Sequence, residues 1–280
     1  MFTLNCNGKL LVTARPLIMG IINVTPDSFF EGSRKPNTGD ALASASAMLA
    51  AGAPILDIGG QSTRPGSKRV GPEEEMDRVL PVVDAIHKNF PEAIISIDTY
   101  SASVAKHAVN AGASIINDIS GGTMDENMFA EAGKLNVPYI CSHIKGTPED
   151  MQSHAFYKDV MDELLEYFAE KAERCLKSGI KDFIIDPGFG FGKTAEHNLI
   201  VLKNLSLLSV LNKPILAGLS RKSVIYKTLG ITPGEALNGS TVLHTIALLN
   251  GACILRVHDV KEAVEAVALV SRYRAVATGS

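Results

Sequence analysis

The chain has 280 residues, of which 46% are apolar, and a formal net charge of -3. That balance excludes the basic face of a nucleic-acid-binding protein, so any anionic partner is expected to be small. No apolar run approaches the roughly 20 residues that cross a bilayer, so no membrane partner is expected. The start, Met1 to Leu10, lacks the basic-then-apolar order of a signal peptide. Cys6, Cys141, Cys175 and Cys253 are widely spaced and form no C-x-x-C pair. They fit neither a disulfide framework nor a zinc site, and reduced thiols in a cytoplasmic protein are expected.

Along the chain, short runs rich in Ile, Leu and Val alternate with longer amphipathic stretches. The runs cover residues 18–25, 55–60, 94–99, 115–120, 139–143, 183–188, 214–220 and 254–259. They read as parallel strands covered on both faces. In the second helical stretch Met76, Val79, Leu80, Val83 and Ile86 share one face, Glu73 to Glu75 complement the helix dipole in the first turn, and Pro81 predicts a kink. Val260, Val264, Val267 and Ala268 repeat the pattern in the last stretch. Eight such alternations, with no long linker, predict one α/β domain over residues 1–280, a closed (β/α)8 TIM barrel. The runner-up, an open doubly wound sheet, lacks an early strand ending in a Gly-rich dinucleotide turn.

Polar residues gather where the runs end, as they do at the catalytic rim of a barrel. Asp98, Asn117 and Asp186 are acceptors from three different strands, and an N–H-rich heterocycle edge would satisfy them. Thr63 and Arg64 follow the second strand, while Arg256 and His258 share one face of the eighth. Together they form a plausible diphosphate clamp, in which the planar fork of arginine suits phosphate oxygens. Lys222 and Ser223 open a helix after the seventh strand, where backbone N–H groups favour an anion; Arg221 beside them reads as a solvated base. Asn23 and Asp27 are hard oxygen donors suited to one Mg²⁺ that arrives with a diphosphate. The polar loop after Thr25 has the character of a mobile active-site loop. Gly188, Gly190, Gly192 and Lys193 imitate a phosphate loop without its spacing, and read as a turn that brings Phe191 and Lys193 to the pocket. His143, at a strand end, reads as a hydrogen-bonding group inside the barrel.

These segments together resemble dihydropteroate synthase. The resemblance rests on residues 19–29 (MGIINVTPDSF), 57–66 (DIGGQSTRPG), 96–99 (SIDT), 117–118 (ND), 186–193 (DPGFGFGK), 220–223 (SRKS) and 256–259 (RVHD). It implies a transferase of folate biosynthesis, the target of sulfonamides, that joins a pterin pyrophosphate to 4-aminobenzoate. Asp98, Asn117, Asp186 and Lys222 would then hold the pterin, with Phe191 nearby. Asn23, Thr63, Arg64, Arg256 and His258 would hold the diphosphate, Asn23 would also touch Mg²⁺, and Ser223 would receive the carboxylate. Asp27, Arg64, Lys222, Arg256 and His258 are expected to carry the chemistry, and a homodimer is implied. Two positions depart from the pattern: Gln61 where the family often has Glu, and Ser142 where it often has Met. A pterin-dependent methyltransferase or a non-catalytic pterin-binding module on the same barrel remain as alternatives.

Overall fold

A computed structural model of the chain describes residues 2–12, 14–25, 38–62, 66–67 and 69–276. Asp27, Phe29, Thr63, Arg64 and Pro65 lie outside the described residues, and with them the expected loop after Thr25 and half of the expected anion clamp.

Eight parallel strands form the barrel: β3 (Leu17–Asn23), β4 (Ile55–Gly59), β5 (Ile94–Asp98), β6 (Ile115–Asp118), β7 (Tyr139–Ser142), β8 (Phe183–Asp186), β9 (Leu216–Ala217) and β10 (Ile254–Val257). Hydrogen bonding runs from β8 through β7, β6, β5, β4 and β3 to β10 and β9, and a parallel bridge between Ile185 and Ile215 closes the ring. Helices α1 (Thr38–Ala50), α2 (Pro72–Asn89), α3 (Ala102–Asn110), α4 (Met128–Leu135), α5 (Val160–Lys177), α6 (Ala195–Lys203) and α7 (Ser223–Leu229) follow β3 to β9 in turn. An additional α8 (Leu237–Leu249) precedes β10, and α9 (Val260–Ala275) ends the barrel. The predicted (β/α)8 class is therefore correct. The strands end one to three residues before their apolar runs because the last polar residues leave the ladder to build the rim. Pro81 lies inside α2 without ending it.

An antiparallel hairpin, β1 (Thr3–Cys6) and β2 (Lys9–Val12), precedes the barrel. Asn7 and Gly8 join its strands with φ of 53° and 89°, the pair of left-handed residues that a two-residue hairpin turn needs. Leu4 and Cys6 of β1 pack with one residue from each barrel strand: Met19, Ile55, Ile94, Ile115, Ile140, Ile184, Leu216 and Ile254. This layer fills one end of the barrel, and the hairpin stoppers it.

Side chains along a strand alternate between the two faces of the sheet. Two residues beyond the apolar layer, the interior positions are therefore Ile21, Asp57, Ser96, Asn117, Ser142, Asp186, Gly218 and Arg256. Six of these eight are polar, so the interior changes from oily to charged within one pleat. The intervening residues, including Leu56, Ile58, Ile95, Ile97, Ile116 and Ile185, belong to the larger core shared with the helices. Among the described residues no helix is long and apolar enough to cross a membrane, and all four cysteines are free thiols.

Candidate active site

The polar layer is knitted around one guanidinium. Arg256 Nε donates to Asp57 Oδ2 and Nη2 to Asp98 Oδ2, both at 2.6 Å. Asn117 Nδ2 donates to the same Asp57 oxygen at 3.0 Å. The sequence reading placed Arg256 among anion-binding groups and Asp98 among free acceptors; the fold brings the two into contact. Asp57, fully buried in mid-strand, was given no role by that reading. Its signal was available, since a carboxylate inside the apolar run Ile-Leu-Asp-Ile must find a buried partner.

Burial raises the Asp98 carboxyl to about 7, against the lowering effect of Arg256 and with help from the charges of Asp57, Glu75 and Asp118. Asp118, next to Asn117, faces the other way. Both of its oxygens are satisfied, by Ser120, Gly122 and the Tyr139 hydroxyl, so it anchors the turn after β6.

Asp186 closes the acidic side. Its Oδ1 accepts from Gly188 N at 2.9 Å and its Oδ2 from Ser142 Oγ at 2.8 Å. Ser142 thus gives Asp186 a partner. Lys222 reaches the same region from the turn after β9. A Cβ at Gly218 would lie 3.6 Å from its Nζ and one at Gly190 3.4 Å from its Cδ, ordinary contact distances, so the side chain runs beside both glycines. The ammonium donates to Phe189 O and sits 4.5 Å from the centre of the Phe191 ring. Burial, relieved by Asp186 and Asp98 and reinforced by Arg256, lowers it to about 8.

At the rim, His258 shares two contacts with Ser220: its backbone N donates to Ser220 Oγ at 3.2 Å, and its Nδ1 lies 3.0 Å from the same oxygen. Desolvation by the surrounding protein, then the charge of Arg256, lowers its pKa to about 4, although the residue is exposed at the rim. Arg221 is anchored rather than solvated. Its φ is 53°, an unfavourable region for a side-chain-bearing residue, and two hydrogen bonds to Asp259, of 2.9 and 2.7 Å, hold it there. That anchoring fixes the turn carrying Lys222 and Ser223, and Ser223 is the first residue of α7. Asn23 ends β3, in register with Gly59 beside Asp98.

One sequence-level reading changes, and another gains a detail. Glu75 stays in the first turn of α2 but is 2% exposed, and burial lifts its carboxyl to about 7, with a Thr99 hydrogen bond pulling the other way. An acid with a raised folded pKa keeps its proton in the folded state, so stability is full below about 4.5 and is lost as pH rises through about 7. Glu75→Gln is expected to remove this slope, melting several degrees above wild type at pH 8 and much closer to it at pH 5, as thermal scans would show. Lys193 does not face the pocket: it is 3% exposed and its Nζ lies 2.8 Å from His143 Nδ1.

Gln61 Oε1 accepts from Val70 N at 2.7 Å, tying down the β4–α2 connection. Glutamate offers the same acceptor, so the missing charge has no evident task here. Gln61→Glu is expected to leave kcat/KM within about fivefold, under 1 kcal/mol; a larger change in steady-state kinetics would show that the charge matters.

A profile of the family described as "Pterin binding enzyme" matches residues 19–258. Dihydropteroate synthase of Escherichia coli is 44% identical over 265 residues, covering 94% of this chain and 93% of that protein. The chain belongs to the dihydropteroate synthase family. Its fold superposes on the Yersinia pestis dihydropteroate synthase, solved as a sulfonamide drug complex, with a TM-score of 0.93 and 42% identity, covering 98% of this chain and 100% of that one. The Xanthomonas albilineans enzyme, solved with 7,8-dihydropteroate, gives 0.89 and 35% identity, covering 99% and 100%. Like these relatives, the chain is an enzyme of the transferase class.

Proposed function

We propose that the chain condenses 6-hydroxymethyl-7,8-dihydropterin pyrophosphate with 4-aminobenzoate, giving 7,8-dihydropteroate and pyrophosphate. One observation carries the pterin half. Asp57 Oδ1 and Asn117 Oδ1 are buried acceptors without a partner among the described residues, and Ser96 Oγ beside them is likewise unpaired. Buried polar atoms are nearly always satisfied, and the 2-amino-4-oxo edge of a pterin supplies the missing N–H donors. In this reading Asp98, Asn117 and Asp186 hold that edge, Lys222 donates to the ring's oxygen or nitrogen side, and Phe191 covers it. The dihydropteroate held by the Xanthomonas albilineans relative is the product of the same reaction.

In the chemical step the methylene C–O bond breaks and its electrons leave with pyrophosphate. The amine nitrogen forms the new C–N bond and releases its proton to water or to the departing anion. Arg64 and Thr63, together with His258 and Arg256, would stabilise the growing negative charge. Asp98 and Asp186 would favour positive charge on the pterin. Asp27 and the loop that carries it would cover the ligands, and the turn at Ser223 would hold the 4-aminobenzoate carboxylate so that both reactants stay aligned.

Among the described residues no cluster of three or more His, Cys, Asp or Glu could cage a metal. Asn23 offers one hard oxygen at the rim, which fits a Mg²⁺ carried mainly by diphosphate oxygens and water. Bound there, the ion would neutralise leaving-group charge. A homodimer is supported by an exposed apolar stripe, Val242, Ile246 and Leu249 of α8, beside Leu269 and Tyr273 of α9. A cytoplasmic, reducing location is supported by the four free thiols.

The direct test mixes the pterin ester with 4-aminobenzoate and measures pyrophosphate. Release that needs both substrates and falls at least about tenfold when Mg²⁺ is chelated is expected. Pterin binding without pyrophosphate release would overturn the catalytic reading and leave only a binding module.

A further inference from the structure

The glycine-rich segment after β8 has the look of a phosphate loop, yet its polarity is reversed. Lys193 Nζ lies 2.8 Å from His143 Nδ1 and donates to the carbonyls of Gly188, Phe191 and His143 at 3.1, 3.2 and 3.4 Å. It forms no ion pair among the described residues. The loop turns its carbonyls inward around its own ammonium, instead of turning N–H groups toward an external anion. Three left-handed glycines, Gly188, Gly190 and Gly192 (φ 68°, 84° and 59°), make that winding possible. At Gly188 a Cβ would fall 1.9 Å from His143 O, so the loop is pressed onto the end of β7.

Two links run from this wrapped ammonium to the pocket. Gly188 N donates to Asp186 Oδ1 at 2.9 Å. Phe189 O accepts from Lys222, and the Phe191 ring lies 4.5 Å from the same ammonium. The carbonyls that Lys193 draws inward alternate with the groups that face outward to Asp186 and Lys222. A methionine would fill the same volume without the cost of burying a charge, so the lysine's own contribution is its set of donors. That cost is visible in the group itself, which burial lowers to about 7 against the favourable charge of Asp186.

We propose that Lys193 is a positioning residue: it winds the β8–α6 loop around its ammonium and thereby sets Asp186 and Lys222 for the pterin. The inference rests on the pterin reading of the pocket and touches neither substrate directly.

The test compares wild type with Lys193→Met, using 6-hydroxymethylpterin in calorimetric titration and steady-state kinetics for both substrates. Wild type must bind the probe; failure at this step sinks the pocket reading itself. Given wild-type binding, a folded K193M is expected to raise the pterin Kd about tenfold or more. The KM for 4-aminobenzoate at saturating pterin is expected to stay within about twofold of wild type. A pterin Kd unchanged within about twofold would overturn the proposal, as would a fall in kcat with both KM values unchanged, the signature of fewer folded molecules. Should K193M not fold, Lys193→Gln keeps two N–H donors on a side chain too short to reach all four acceptors; a smaller rise in pterin Kd, about threefold or more, is then expected, and an unchanged Kd would overturn the proposal. Loss of fold in both variants would assign Lys193 to barrel stability and reject the positioning role.

Discussion

Asp57→Asn is expected to lower kcat/KM by about 30- to 1,000-fold, or about 2–4 kcal/mol, while leaving a folded barrel. The substitution is isosteric, but the two carboxylate oxygens have different tasks. Oδ2 receives donors from Arg256 and Asn117, whereas Oδ1 is buried with no partner among the described residues and, in the proposed reading, takes an N–H of the pterin. Asparagine can serve only one of these sides with its oxygen. With the amide NH2 toward Arg256 and Asn117, three sets of donors collide. With the amide reversed, a donor meets the N–H edge of the pterin. Either way the loss should fall on pterin affinity and on the chemical step, not on 4-aminobenzoate binding. Titration with 6-hydroxymethylpterin and steady-state kinetics would show it, and a change below about threefold would remove Asp57 from the site.

Arg256→Met should be more damaging, and to folding as well as to turnover. Arg256 is the counter-ion of two buried carboxylates, Asp57 at 0% and Asp98 at 7% exposure. Removing one member of such a cluster costs about 3–5 kcal/mol, which for a protein of this size is a fall in Tm of about 10 °C. Asp98, already lifted to about 7 by burial, loses the charge that opposed the shift and climbs further. A raised carboxyl pKa makes the folded state hold its proton, so the variant's deficit should be smaller at pH 5 than at pH 8. Adding Asp57→Asn to Arg256→Met removes one of the uncompensated charges and should recover part of the Tm. Turnover should stay below about 1% of wild type in both. A single variant that melts with wild type at pH 8 would show that the cluster holds no such energy.

The sequence conveyed the barrel well because its strongest signals are local. Runs such as Ile94 to Asp98 carry isoleucine on both faces, and several end on a polar residue that the rim later uses. It conveyed less of the site because strand phase tells which wall a side chain faces, not what it reaches. Arg256 and Asp98 are 158 residues apart and meet only when the ring closes. Lys193 turns into the carbonyls of its own loop and Lys222 toward Phe189 and Phe191, a difference set by how the loops fold and not by spacing in the sequence. Glu75 looked like one more acid at a helix start, yet the helix docks with that residue inward, against Gly60 and Thr99. The hairpin of β1 and β2 was legible in Asn7-Gly8 and was missed because the alternation around it is only four residues long on each side.

The alternation of inward and outward positions divides labour along every stave of the barrel. Odd-numbered places on β4, such as Asp57, face the barrel interior, while their even-numbered neighbours, Leu56 and Ile58, meet helices. The interior can therefore be retuned one substitution at a time, at Ser96 or Ser142 for instance, with the outer packing left intact. An insertion of a single residue inside a stave would exchange the two sets at once, turning carboxylates toward helices and isoleucines toward the ligand.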